Sequence, residues 1–233
     1  ELETMSTQHI NLHGKSIELP DALMSLSGER IRSAVAWHEQ RRPEILELFR
    51  RYVYGRAPAE KPHDLRFEIL EKQPIMNSQA LLKRIAIRFA GRECEYSKER
   101  KTGTIPLSLL VPHQAGRRVP CFLFLNNREP ELADPLRRTR SDFWPAENIL
   151  AHGYATAVIQ LSDIDPDFHD DFQNGVHGLL DPPGQRPKDA WGTIGAWAWG
   201  ACRALDYLVT DEDINTQQIA VVGHSRGGKT ALW

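Results

Sequence analysis

Apolar and polar residues alternate over two stretches of this chain, 66–70 (RFEIL) and 82–89 (LKRIAIRF). This is the period-two pattern of strands with one face buried. Three later stretches, 104–111, 121–125 and 154–161, are more continuously apolar, as strands covered on both faces are. A sixth run, 219–222, is short and apolar and reads as a buried strand. Between these runs the period becomes helical. Over 29–54, Ile31, Val35, Ile45, Leu48, Phe49 and Tyr52 fall at helical spacing, and Pro43 predicts either two helices or one with a break. The stretch 145–152 predicts a short helix stopped at Gly153. The clearest pattern is 189–209, with Asp189 as the expected N-cap and Trp191, Ile194, Ala198, Ala201, Leu205 and Leu208 three and four residues apart.

Early antiparallel strands, then buried parallel strands alternating with helices, predict an α/β fold. A net charge of −2 leaves no electrostatic footprint for nucleic acid, and no stretch approaches the ~20 apolar residues of a membrane span. At 233 residues and 41% hydrophobic content, one domain with a substantial core is expected. We read 1–233 as that single domain, with 1–18 as a flexible leader and 29–54 as an N-terminal helical segment.

The chemistry concentrates after the sixth run, in GHSRGGKT (Gly223 to Thr230). Read as G-x-S-x-G, these residues form a nucleophile elbow, in which a strand turns sharply into a helix and lifts the Ser225 hydroxyl above the sheet. The same residues also satisfy the Walker A pattern, with Lys229 on phosphates and Thr230 on magnesium. A Walker A strand usually opens its domain, whereas 218 residues precede Ile219 here. The order of elements therefore favours the elbow.

These residues also carry a family resemblance. The run WGTIGAWAWGACRALDYL and the following DEDINTQQIAVVGHSRGGKTALW resemble the bacterial glucuronoyl esterases, as do RRPEILELFRRYVYGRAP and VPCFLFLNN upstream. The resemblance implies an α/β-hydrolase fold: a mostly parallel sheet with helices on both faces, here truncated after the nucleophile strand. It further implies a serine esterase that cleaves the ester between a xylan glucuronic acid side group and a lignin alcohol, without cofactor or metal. Its partner is then a glucuronoxylan or lignin-carbohydrate ester, with neither nucleic acid nor membrane involved, in a secreted or periplasmic setting. Ser225 is the implied nucleophile, Arg226 the oxyanion-hole residue and Lys229 a ligand of the sugar hydroxyls. Two cations at a helix start oppose its dipole, which itself points to an anionic or hydroxylated ligand. Asn126 and Asn127 occupy the position from which this fold offers its second oxyanion donor. An acetyl-xylan or general carboxylesterase, P-loop nucleotide binding, and a non-catalytic hydrolase remnant remain as alternatives.

This fold places the triad acid and histidine after the nucleophile, so both are expected outside this chain. The lack of an initiator Met and a helix cut at Trp233 give the expectation of an N-terminal fragment, inactive by itself. All nine histidines lie at or before His224; His169 and His177 come too early in chain order, and the His224 side chain is expected to point away from the nucleophile. The acidic stretch 163–174 (DIDPDFHDDFQN) misses the EF-hand template at its sixth and twelfth positions, Phe168 and Asn174, and reads as a surface loop near the cleft. Cys121 and Cys202 are expected as core thiols, and Trp144 as the most exposed sugar-stacking tryptophan.

Overall fold

The computed structural model describes residues 9–62, 64–93, 99–113 and 117–233. The chain divides into two compact units, 1–53 and 54–233. In the first, β1 (His9–Leu12) and β2 (Lys15–Glu18) form an antiparallel hairpin. It turns at His13 and Gly14, whose φ values of 48° and 77° suit the twist of a two-residue hairpin loop. The leader expected over 1–18 thus carries a hairpin from residue 9 onward, while residues 1–8 lie outside the described ones.

Further along, α1 (Ala34–Ala36) is capped by the Ser33 hydroxyl, which accepts from the Ala36 N–H. It continues through a π-helical turn, Trp37–Arg41, into α2 (Arg42–Tyr52). Pro43 sits in the first turn of α2, where a missing N–H costs little. The break anticipated at Pro43 takes the form of the wider turn just before it.

The second unit is built on a six-stranded sheet. Its strands are β3 (Arg66–Ile75), β4 (Ala80–Glu93), β5 (Arg100–Pro112), β6 (Val119–Asn126), β7 (Ala155–Gln160) and β8 (Ile214–Gly223), in the order β3-β4-β5-β7-β6-β8. The pairings from β3 through β4 and β5 to β7 are antiparallel, and β6 pairs in parallel with β7 and β8. The carboxyl ends of β6, β7 and β8 therefore share one edge of the sheet, where ligands of open α/β sheets bind.

Helices cover both faces. Odd-numbered side chains of β4, β5 and β6 (Ile85, Leu107, Leu109, Leu123) join Trp197, Ala201, Ala204 and Leu208 of α5 (Thr193–Leu208) in one core. Even-numbered ones (Leu82, Leu110, Phe124) join Val158 of β7, and Ala146 and Leu150 of α3 (Ala146–Ala151), in a second. A short helix, α4 (Gly175–Leu180), contributes Val176 to the first core. α6 (Arg226–Leu232) follows β8 and packs Ala231 against that same core.

Several expectations are corrected. Helix α5 begins at Thr193 with Gly192 as its N-cap, and Asp189 instead forms an ion pair with Arg56 at 2.8 Å. Trp144 is buried at 1% exposure. Its indole N–H donates to Thr156 at 2.9 Å, and the Arg137 guanidinium lies over its ring. Cys202 is exposed, whereas Cys121 is buried and its thiol is pushed up to about 12 by desolvation. Among the described residues β8 pairs with β6 alone, and Val222, expected in a buried strand, is 42% exposed.

The polar positions of β4 hold one exception to the alternating pattern. Lys83 points toward the α5 face and is 2% exposed. It donates to both carboxylate oxygens of Asp211 at 2.8 Å and reaches Asp213 at 2.8 Å, while the Tyr207 hydroxyl donates to Asp211 at 2.6 Å. Burial opposes the charge on both partners. The hydrogen bonds and mutual attraction outweigh it, holding Lys83 above and Asp211 below their ordinary values.

Lys83→Ala leaves a buried carboxylate unpaired and should cost about 3–5 kcal/mol in denaturant unfolding. The raised Lys83 pKa makes its contribution complete below about 10.4 and lost as pH climbs through the folded value. The lowered Asp211 pKa makes its contribution complete above about 3.9 and lost as pH falls through the folded value. Melting temperature against pH should therefore fall at both extremes in the wild type and show weaker dependence in Lys83→Ala.

Candidate active site

The tightest backbone crossing in the second unit lies where β8 enters α6. A Cβ on Gly223 would stand 2.1 Å from the Gly227 carbonyl oxygen, and one on Gly227 would stand 3.0 Å from the Leu125 carbonyl oxygen of β6. Only glycine lets the strand end and the helix start approach this closely. Two residues, His224 and Ser225, bridge the gap, and Ser225 takes φ 55°, ψ −116°. A non-glycine residue in that region stores strain of order 1–3 kcal/mol and is found where function over-determines the backbone.

Ser225 is the N-cap of α6 but makes no capping bond with its side chain, so its exposed hydroxyl remains available above the carboxyl ends of the parallel strands. The first turn of α6 presents N–H groups that lack intrahelical acceptors. The Lys229 N–H closes that turn on the Ser225 carbonyl at 3.1 Å. Lys229 is exposed and lies four residues, about one helical turn, beyond Ser225.

This geometry does not make a phosphate cradle. A Walker A loop needs its glycine-rich residues in an open loop whose amides converge on an anion. Here Gly227, Gly228, Lys229 and Thr230 are already within α6, and the Thr230 hydroxyl is spent on the Arg226 carbonyl at 3.0 Å.

Around the serine, the other expected residues fall into distinct places. Arg226 forms an ion pair with Asp167 through Nη1, at 2.5 Å. Asn126 is fully buried: its amide donates to Gln160 at 2.6 Å and its oxygen accepts from the Arg128 N–H at 3.1 Å. That side chain fixes the turn after β6. Asn127 lies beside the elbow, its Oδ1 3.6 Å from where a Gly227 Cβ would be, and this oxygen is buried without a partner. The His224 ring packs edge to face on Phe143, with ring centroids 5.7 Å apart.

His177 is buried, and both its ring nitrogens are held, Nδ1 by Asp165 at 2.7 Å and Nε2 by the Trp191 carbonyl at 3.1 Å. It has no free lone pair to activate a serine. His169 is exposed and pairs with Asp171. Among the described residues, no group of three or more His, Cys, Asp or Glu could hold a metal ion, and no helix is long and apolar enough to cross a membrane.

The sequence pattern did not single out Asp167, Gln160 or Phe143. The acidic loop signalled nearness to the cleft, but a pair spanning 59 residues, Asp167 with Arg226, leaves no local periodicity to read.

The family profile described as "Glucuronyl esterase, fungi" matches residues 186–233, which include α5, β8 and the elbow. Carbohydrate esterase MZ0003, from an unknown prokaryotic organism, is 34% identical over 244 residues, covering 92% of this chain and 54% of that protein. A solved glucuronoyl esterase from Solibacter usitatus is similar with a TM-score of 0.79 at 30% identity, covering 92% of this chain and 59% of the other. A CE15 glucuronoyl esterase from Teredinibacter turnerae T7901 gives 0.76 at 27% identity, covering 92% and 52%. The chain thus spans somewhat more than half the length of these relatives.

The crossing itself can be tested by Gly223→Ala in the full-length protein. Its methyl group cannot be placed without moving the helix backbone, so a loss of at least about 3 kcal/mol is expected in thermal or denaturant unfolding. Unchanged stability would show that the crossing relaxes freely.

Proposed function

The chain belongs to the glucuronoyl esterase family, and on that premise we propose that the full-length protein is a serine esterase. Its substrate is the ester between a xylan glucuronic acid side group and a lignin alcohol, and it acts outside the cytoplasm, where that polymer is found. The observation that carries the reading is Ser225, held at a strained elbow with its hydroxyl uncommitted.

The roles follow from the chemistry of acyl transfer. Ser225 attacks the ester carbonyl, and the negative charge that develops on oxygen needs donors already in position. The Arg226 backbone N–H, at the first position of α6, meets that need, and its guanidinium adds charge at the same edge. Asn127, just past β6 and beside the elbow, is the candidate for the second contact through its backbone N–H, whereas Asn126 is the last residue of β6. Lys229, with three donors and no acceptor, suits the hydroxyls of the uronate ring. No cofactor enters these steps.

Ser225→Ala in the full-length protein should lower kcat on a methyl glucuronate ester by several orders of magnitude, leaving the residual contributed by binding and oxyanion contacts. Retention of near wild-type turnover would contradict its role as nucleophile.

Lys229→Ala should cost about 1.5–3 kcal/mol in kcat/KM on glucuronate esters, the range of a hydrogen bond to a charged group. On a simple aryl acetate the loss should be much smaller. Equal losses on the two esters would show that Lys229 does not read the sugar.

A further inference from the structure

The acidic loop after β7 touches the elbow through one side chain. Asp167 accepts from Arg226 Nη1, and this pair joins residues 59 apart in the chain. Arg226 begins α6, where the helix dipole disfavours a positive charge, and its side chain is 51% exposed. Without a partner, such a guanidinium samples many rotamers in solvent. A carboxylate at this helix end both offsets the dipole and selects one placement of the fork.

The base from which Asp167 projects is rigid. Ile164 and Asp165, three and two residues earlier, are 1% and 2% exposed. Ile164 presses onto Gly200 of α5, where a Cβ would stand 2.5 Å from its side chain, and its carbonyl accepts from the Val176 N–H at 2.9 Å. The Asp165 carboxylate is tied to His177 at 2.7 Å and its carbonyl accepts from the Trp197 indole N–H at 2.9 Å. On the far side, Asp170 accepts from the Phe172 and Asn174 N–H groups at 2.9 and 3.1 Å. A carboxylate on so firmly held a loop can set the position of a long cationic side chain.

We propose that Asp167 is a positioning residue for the reaction at Ser225, holding the Arg226 guanidinium where it meets the developing oxyanion; this rests on the esterase reading above. Among the described residues the contact engages Nη1, which leaves the other donors of the fork for an incoming oxygen. Because the fork is ordered before substrate arrives, the benefit falls on the transition state and not on ground-state binding.

The test is a double-mutant cycle in the full-length protein, with kcat and KM measured on a methyl glucuronate ester. Asp167→Ala should lower kcat about ten- to thirtyfold with KM within about twofold. Asp167→Asn, nearly isosteric and still an acceptor, should lose less. In an Arg226→Ala background, Asp167→Ala should have no further effect. Unchanged kcat, a loss confined to KM, or an equal drop in both backgrounds would overturn the proposal. Should the Ala variant melt markedly lower than wild type, the Asn variant carries the same cycle. If the wild type leaves the glucuronate ester untouched but cleaves an aryl acetate, the substrate reading fails. The cycle then runs on the acetate, because the oxyanion is common to both esters.

Discussion

The backbone crossing between Gly223 and Gly227 is the constraint on which the site depends. With 2.1 Å between a hypothetical Gly223 Cβ and the Gly227 carbonyl oxygen, β8 and α6 are packed closer than any side chain allows. The chain must therefore reverse within two residues, and Ser225 takes a backbone conformation that would otherwise be avoided. Strain of this kind persists only if the surroundings hold it. Here β8 is registered against β6 up to Gly223, and α6 is bonded from its first turn. The same reversal carries Lys229 one turn along the helix and Arg226 to its first position, so a single crossing sets three side chains at once.

The rest of the second unit acts to keep that crossing at the carboxyl ends of the parallel strands. Two apolar cores clamp the sheet from opposite faces, and the buried Lys83 pair ties β4 to the segment between α5 and β8. That ion pair is costly to bury and is better regarded as a register pin than as a source of net stability. At the site edge, Asn126 and Gln160 close the ends of neighbouring strands onto the turn that bears Asn127, while the acidic loop is anchored on α5 before it reaches Arg226. The candidate site is thus assembled from three loops, each fastened to the scaffold within two or three residues of the side chain it brings to the elbow.

Much of this was legible in sequence where one local pattern sufficed. Period-two alternation located β3 and β4, continuous apolar runs located β6 and β7, and the spacing of small residues around Ser225 located the elbow. What escaped depended on distant partners. Lys83 falls in phase with Ile85, Ile87 and Phe89, and nothing local announces the partners that let a lysine be buried there, since its two aspartates lie 128 and more residues away. Trp144 sits in a polar-looking loop, yet Thr156 and Arg137 supply a buried partner for its indole and a cation over its ring. Asp189 has the right type for an N-cap, but the helix starts only at Thr193 and its carboxylate pairs with Arg56. Cys202 falls within a largely buried helix but on its solvent side, and helical spacing alone did not separate the two sides there.

The proposed function has one strained elbow present a nucleophile, an oxyanion donor and a sugar ligand to the same substrate. A crystal structure of the full-length protein reacted with a phosphonate analogue of a methyl glucuronate tests all three together. The proposed function predicts a bond from phosphorus to Ser225 Oγ, a phosphonyl oxygen within about 3 Å of the Arg226 N–H, and a ring hydroxyl against Lys229 Nζ. An adduct on another residue, or a sugar ring turned away from Lys229 while phosphorus is on Ser225, would contradict it.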